Sequence, residues 1–485
     1  MILLIPIHLE NDGRHLPLGV AQLAGFLIKN NYKVMVHDTP PYKEKNYFKD
    51  LFNLIRKDKP KLIGISCMTP TFEKSCKVAE SIKRNFNIPI VFGGIHPTAV
   101  PEETLKNYFV DYVIFGEGEH TIIELLEYFE GKRKLEDIKG LAYKENGKIK
   151  VNKPRELIED LDSLPFPARH LFPSWYFQRW MVIRGLWLSG TNMMGSRGCP
   201  FNCSYCASKV MWGRRVRAYS PKRFVDEIEH LVKKYKVDSV RIVDDTFTVD
   251  KRKAIAICRE IRRRKLKIKF RANIRTDTAS EELVRELKKA GCIQAAFGIE
   301  SGSNRILKVL NKGTTVENAV KTFKLFKKYK IRTCATFMVG NPTETYEDIK
   351  LTRKLAKQLD ADYTQFFLTT PYPGTQMYDD CIKANPSFKE QPYSKYRHAG
   401  EKLTSMINCE IPQDELVKIQ KELNAEFLKK SAISLFQNKM FIVDMLSLVI
   451  QRPSVIFKGL KNFIKTRRLV ELYRAFYYDQ NLRRF

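Results

Sequence analysis

The chain has 485 residues, 44% hydrophobic and 29% charged, which excludes a disordered or collagen-like protein and is long enough for two or three domains. Ten cysteines in a chain of this size do not make a disulfide framework. The formal charge of +31 favours anionic partners, but residues 1–150 carry 22 Lys and Arg against 19 Asp and Glu, so the excess lies beyond them.

The opening Met1-Ile2-Leu3-Leu4-Ile5-Pro6-Ile7 has no basic leader or small-residue cleavage site and reads as a strand, not a signal peptide. Residues 1–140 alternate strands and helices, the rhythm of a doubly wound, Rossmann-like α/β domain. Strands are expected at 2–5, 33–37, 62–66, 88–92 and 112–115, and helices at 18–30, 72–84 and 121–129. In such sheets ligands sit beyond the carboxyl ends of the strands. The tips there are residues 6–17, Ser66-Cys67-Met68-Thr69, Gly93-Gly94-Ile95-His96 and Gly116-Glu117-Gly118-Glu119. Residues 141–190 read as a bridge: a hairpin around Asn146-Gly147, a proline-bearing turn at Leu164-Pro165-Phe166-Pro167, then Trp175, Tyr176, Phe177, Trp180 and Trp187. Those aromatics either wall a substrate site or pack two domains together.

From 191 to 380 the βα rhythm resumes with longer helices, as in a partial (β/α)6 barrel whose strand tips face one site. It begins with Cys199, Cys203 and Cys206 in a C-x3-C-x2-C run. Three thiolates fall one short of a closed zinc site and of the four that usually hold an iron–sulfur cluster. A [4Fe–4S] cluster held this way keeps one iron open to a chelating small molecule; a zinc knuckle with a remote fourth ligand is the competing reading. Later strand tips carry Asp244, Asp245, Arg275, Glu300 and Gly340, with Arg271 inside a strand. Residues 381–485 read as a helical region with amphipathic stretches at 414–429 and 440–450, the second too short to span a bilayer. The region and its basic, aromatic end fit a helical cap on the barrel, a lid over a hydrophobic substrate or peripheral contact with an acidic membrane surface. A cytoplasmic protein is expected, membrane-associated if that end makes such a contact.

These motifs resemble the cobalamin-binding radical SAM family, which includes C-methyltransferases and an anaerobic ring cyclase of bacteriochlorophyll synthesis. The resemblance rests on the cysteine run with Tyr205 before its third Cys, on Asp244-Asp245, on Gly298-Ile299-Glu300-Ser301-Gly302 and on Gly340. In the front domain it rests on Leu16-Pro17-Leu18-Gly19 and the three later tips. It implies that Cys199, Cys203 and Cys206 hold a [4Fe–4S] cluster and that S-adenosylmethionine chelates the open iron. It places Tyr205 and Gly340 against the adenine, Asp244 and Asp245 at the methionyl ammonium and Glu300 at the ribose. Arg271 and Arg275 become candidates for the methionyl carboxylate or for substrate. Ser66, Met68, Thr69, Gly93, Gly94, His96, Gly116, Glu117 and Gly118 would contact cobalamin. The first loop departs from the family's D-x-H-x-x-G, so His8 and His15 are read as loop residues and cobalamin as held without a protein ligand to cobalt. The implied reaction is reductive cleavage of S-adenosylmethionine and methylation of an unactivated carbon in a small, apolar or polycyclic substrate. A ferredoxin or flavodoxin would supply electrons. The alternative is cyclisation, oxidation or carbon–carbon coupling, with cobalamin absent or in another role. Methylthiotransferases acting on tRNA need a second cysteine set in front; residues 1–150 offer only Cys67 and Cys76, so nucleic acid is not an expected partner.

Overall fold

Strands β1 (Ile2–Pro6), β2 (Val34–Val36), β3 (Leu62–Ser66), β4 (Ile90–Gly93) and β5 (Tyr112–Ile114) are apolar on both sides, because a parallel sheet is covered on both faces. In a computed structural model, which describes residues 1–8, 15–38, 46–177, 179–183, 186–396 and 409–436, they run parallel in the order β2-β1-β3-β4-β5. Ile2, Leu4, Leu62 and Val91 meet the helices Leu18–Lys29 and Gly118–Phe129 on one face. Leu3, Ile5, Ile63 and Ile65 meet Tyr47–Asp58 and Phe72–Asn85 on the other. The helix Tyr47–Asp58 was not among the expected elements, although its buried Leu51 and Ile55 stand four apart, one helical turn.

The hairpin at 141–151 forms as expected, but it does not belong to the bridge. Strand β6 (Leu141–Glu145) pairs antiparallel with β5, and β7 (Lys148–Val151) pairs with β6, so the first sheet runs on to Val151. The reason is that β5 otherwise ends the sheet with an unpaired ladder, which an adjacent hairpin covers at little loop cost.

The second sheet begins with β8 (Arg179–Ile183), antiparallel to β9 (Leu186–Met193). A two-stranded ribbon of β10 (Ser196–Arg197) and β11 (Arg217–Ala218) brackets the cysteine run. Then β12 (Ser239–Ile242), β13 (Lys269–Asn273), β14 (Cys292–Glu300), β15 (Arg332–Val339) and β16 (Tyr363–Leu368) follow in parallel. With β9 these make the six parallel strands of a partial barrel. The helices between them start on side-chain caps that fix where each strand tip ends. Ser220 accepts from Arg223 N, Asp250 from Lys253 N, and Thr345 and Asp348 cap each other reciprocally.

The open edge of this barrel, β16, is covered by the helix Gln413–Phe436. Gln420 Nε2 and Asn424 Nδ2 both donate to the Phe366 carbonyl, and Phe366 N donates to Asn424 Oδ1. This part of the C-terminal region is a cap on the barrel. Residues 376–396 turn back instead, and Tyr378, Phe388, Tyr393 and Tyr396 join the core of the first sheet. Tyr176 and Phe177 are buried in the core between the two domains, Phe177 4.3 Å from the Tyr235 ring, and the partly buried Trp175 packs against that core. The side chains of Trp180 and Trp187, the stretch 440–450 and the basic C-terminal end lie outside the described residues. Among the described residues no helix is long and apolar enough to cross a membrane.

Candidate active site at the barrel mouth

The cysteine loop is shaped by Gly198. Its φ is +93°, and a Cβ there would stand 2.2 Å from the Arg215 carbonyl, so only glycine fits this turn. The loop is pinned from the far side of the barrel: Ser204 N donates to Leu310 O at 3.0 Å, Asn311 Nδ2 to Asn202 O at 2.9 Å, and Met377 N to Ser204 O at 3.0 Å. Cys203 is buried and Cys199 and Cys206 half-buried. Burial raises the Cys199 thiol and pushes Cys206 up to about 11, and each also feels Asp245 and the other loop cysteines. The three thiols lie close enough to influence one another, and as thiols they would have to lose their protons to bind metal. Among the described residues no three His, Cys, Asp or Glu side chains close on one point as a single ion requires.

The two adjacent carboxylates, indistinguishable in sequence, have different positions. Asp244 is buried, its Oδ1 accepting from Gly195 N and its Oδ2 from Ser196 Oγ, both at 2.6 Å. Burial pushes its carboxyl up to about 6 against those hydrogen bonds. It ties down the backbone leading into the cysteine loop and is occupied there, so it does not stand open to an ammonium as expected. Asp245 is exposed, bonded to Ser208 Oγ and close enough to Cys199 and Cys206 to affect both thiols. Of the pair, Asp245 is the carboxylate available to a ligand.

Glu300 stands at the end of β14, after a register shift and with φ +67°, a strained position for a residue with a side chain. Its Oε1 accepts from Tyr205 Oη at 2.9 Å and from Lys312 Nζ at 2.8 Å, and Lys312 Nζ is 3.0 Å from Tyr205 Oη. Tyr205 is thus anchored by its hydroxyl and packs its ring on Ile306, Leu310 and Met377. Lys312 escaped the sequence reading because it sits on no strand tip and in no motif.

Gly340, φ +80°, begins a turn held by Glu344 of the same strand tip. Glu344 is fully buried; its Oε2 accepts from Gly340 N (2.6 Å) and Asn341 N (3.0 Å), its Oε1 from Asn341 Nδ2 (2.9 Å). Burial outweighs these donors and pushes the carboxyl up to about 7 from an ordinary 4.5. The folded chain therefore holds a proton there that the unfolded chain releases between those values. The stability this contributes is complete below about pH 4.5 and is lost as pH rises through about 7. Thermal midpoints measured at pH 5 and pH 7.5 should fall with rising pH, and Glu344→Gln should flatten that decline.

Arg271 is not brought to this mouth. It lies in register with Arg241 on β12 and Gln294 on β14, six residues before Glu300, or about 20 Å along the strand at ~3.3 Å per residue. Arg275, at the tip of the same strand, does reach the cysteine loop: its Nη1 is 3.9 Å from Cys203 Sγ.

The tips of the first sheet open into a cavity of about 810 Å³ counted with its mouth. Ser66, Gly93, Gly94, Gly116, Glu117 and Gly118 line it, as expected, with Leu4, Val20, Val91 and Ile122 as its apolar walls. Met211, Trp212 and Arg197 close it from the barrel side. Met68, Thr69 and His96 do not line it. His96 is fully buried between the Phe72 and Tyr393 rings (4.2 and 4.5 Å), its Nδ1 3.2 Å from Thr69 Oγ1. Burial lowers it to about 3, and it is a packing residue. Of the two first-loop histidines, His8 Nε2 lies 2.6 Å from Asp38 Oδ1 and His15 Nε2 lies 2.6 Å from Arg241 Nη1.

Glu117 does more than line the cavity. Arg197 Nη1 donates to its Oε1 at 2.7 Å, Arg217 Nη1 reaches both its oxygens at 2.9 Å, and Ile158 N donates to Oε2 at 2.6 Å. Arg197 Nη2 also donates to Glu119 Oε1 at 2.5 Å. All four charged side chains are buried, and the β10–β11 ribbon sets the two arginines side by side. Arg197 precedes Cys199 by two residues, so this network ties the front cavity directly to the cysteine loop.

The cavity also has room that a small change would fill. Gly19 lines it, and a Cβ there would meet nothing within 4 Å. Gly19→Leu should keep the fold and the iron content while cobalt bound after reconstitution with hydroxocobalamin falls at least tenfold, read by elemental analysis.

The three-thiol loop at the mouth of the partial barrel thus shares a wall with the cavity of the nucleotide-fold sheet, the arrangement of an enzyme with two adjoining sites. The pattern of the radical SAM superfamily matches residues 193–356, and that of the B12 binding domain matches residues 7–126. An uncharacterized methyltransferase of Pyrococcus horikoshii, PH0819, is 34% identical over 466 residues, 95% of this chain and 94% of the relative. The anaerobic magnesium-protoporphyrin IX monomethyl ester cyclase of Rubrivivax gelatinosus is 30% identical over 386 residues, 76% of this chain and 67% of the relative. The radical S-adenosylmethionine methyltransferase TsrM of Kitasatospora setae, solved with cobalamin and a [4Fe–4S] cluster, shares the fold at TM-score 0.66 and 21% identity, over 79% of this chain and 75% of that one. The chain belongs to the cobalamin-dependent branch of the radical SAM superfamily, which includes methyltransferases. It is an enzyme whose cofactors are a [4Fe–4S] cluster, S-adenosylmethionine and cobalamin.

Proposed function

We propose that this enzyme methylates an unactivated carbon of a small molecule, with Cys199, Cys203 and Cys206 as the cluster ligands. The observation that carries the reading is the shared wall. Arg197, Met211 and Trp212, which flank the cysteine loop, also close the front cavity, so a group in that cavity lies beside the loop. When bound, the cluster and cobalamin supply reductive cleavage of S-adenosylmethionine and carriage of its methyl group.

The chain's own residues bind and orient. Asp245 accepts the methionyl ammonium by charge-assisted hydrogen bonding. Glu300, held by Lys312 and Tyr205, faces the ribose, and the Gly340 turn brings backbone to the adenine. Ser66, Gly93, Gly94, Gly116 and Gly118 leave room for cobalamin, and Glu117 holds the loop against it. Identity with the protoporphyrin ester cyclase supports a polycyclic or otherwise apolar substrate, and the low-potential electron is assigned to a ferredoxin or flavodoxin. The same identity favours one competing reading, cyclisation or oxidation without methyl transfer.

Anaerobic reconstitution with iron, sulfide and hydroxocobalamin, followed by assay with a reductant and methyl-labelled S-adenosylmethionine, separates these. Four irons and one cobalt per chain, with label in the product, support methylation. Deoxyadenosine released with unlabelled product supports the competing reading. A protein that binds no iron refutes both.

A further inference from the structure

Arg275 is buried, 8% exposed, at the tip of β13, and its planar guanidinium is used on every side. One edge faces Asp277, Nε donating to Oδ1 at 3.0 Å and Nη2 to Oδ2 at 2.8 Å. Nη2 also donates to the Lys312 carbonyl at 2.7 Å, which joins it to the loop that carries the Glu300 partner. Its face lies 3.5 Å from the Phe201 ring centroid, and Phe201 sits between Cys199 and Cys203 in the loop. The remaining nitrogen, Nη1, points at Cys203 Sγ from 3.9 Å. A residue needed only to pair Asp277 would not present its free N–H edge to a sulfur and its face to the loop aromatic. A lysine, with one compact ammonium and no planar fork, could not make both contacts while also pairing Asp277 through two nitrogens.

We propose that Arg275 is a positioning residue for the cluster: it seats the loop through Phe201, donates an N–H to the Cys203 sulfur, and so raises the cluster's reduction potential. The proposal rests on the three cysteines being cluster ligands. Reduction adds negative charge to the cluster and its sulfurs, and an N–H aimed at a sulfur in a buried site stabilises that charge. Asp277, on the opposite edge of the guanidinium, acts with the contrary sign, because its carboxylate opposes added electrons.

The test uses the full chain, reconstituted anaerobically as wild type, Arg275→Gln and Asp277→Asn, with iron and sulfide counted before an EPR-monitored redox titration. In Arg275→Gln the reduction equilibrium should move about tenfold toward the oxidised cluster, a midpoint lower by about 59 mV for one electron. In Asp277→Asn the midpoint should rise. Titrations of wild type and Arg275→Gln that agree within twofold overturn the proposal, and so does a fall in Asp277→Asn. Should Arg275→Gln load no cluster, the sign of the Asp277→Asn shift decides. A wild type that binds no iron refutes the cluster assignment itself, a result distinct from either.

Discussion

Glu117→Gln is expected to destabilise the protein by about 3–5 kcal/mol, the usual cost of removing one partner from a buried ion network. The substitution leaves the Arg197 and Arg217 guanidiniums, each 4% exposed, with Glu119 as the remaining carboxylate. Glutamine keeps the shape and one acceptor oxygen, so the loss reports charge and not packing. A denaturation series in urea checks the magnitude. Glu156→Gln is the control: its ion pair with Lys139 is solvent-exposed and should contribute nothing measurable. Iron and cobalt should fall together in Glu117→Gln, because one network holds both sites, whereas Gly19→Leu should lower cobalt alone. Loss of cobalt with full iron retention in Glu117→Gln would show that the ion network does not support the cysteine loop.

Gly198→Ala should abolish stable cluster loading. The left-handed φ alone costs about 1–3 kcal/mol for a residue with a Cβ, and the 2.2 Å approach to the Arg215 carbonyl forces backbone to move as well. The displaced loop can no longer present three thiolates together. Iron per chain after reconstitution should drop from about four to below one while far-UV circular dichroism is retained. Gly147, with φ +75° and open space around it, is the comparison: Gly147→Asn, a residue that tolerates this conformation, should load iron normally.

The architecture and the cysteine loop were legible in the sequence because their signals are local. Apolar strands of four or five residues, helix caps and a C-x3-C-x2-C run each lie within one short stretch. The division of labour between Asp244 and Asp245 was not legible, since adjacent residues at a strand end face opposite sides and only the partners reveal which is buried. Lys312 escaped for a related reason: it acts on Glu300 and Tyr205, and nothing in its own flanks says so. Glu117 was read as a cofactor contact from its Gly-Glu-Gly-Glu tip. Its larger role depends on arginines 80 and 100 residues away, a separation that no single-sequence pattern records. Arg271 lies inside β13 and Arg275 beyond its end, and the contact of Arg275 with Cys203 Sγ is a three-dimensional fact that the strand pattern does not record.

The link between Glu117, Glu119 and the two arginines also bears on the order in which the molecule is assembled. Synthesis delivers the whole first sheet, through Val151, before Arg197 and Arg217 exist. Two carboxylates cannot be stripped of water without their cations, so the newly made front domain keeps that face hydrated and its cavity unroofed. Arg197, Met211, Trp212 and Arg217 emerge within one stretch of about twenty residues, bringing the cations and the missing wall at the same time. The cavity is thus open on that side until this stretch is in place.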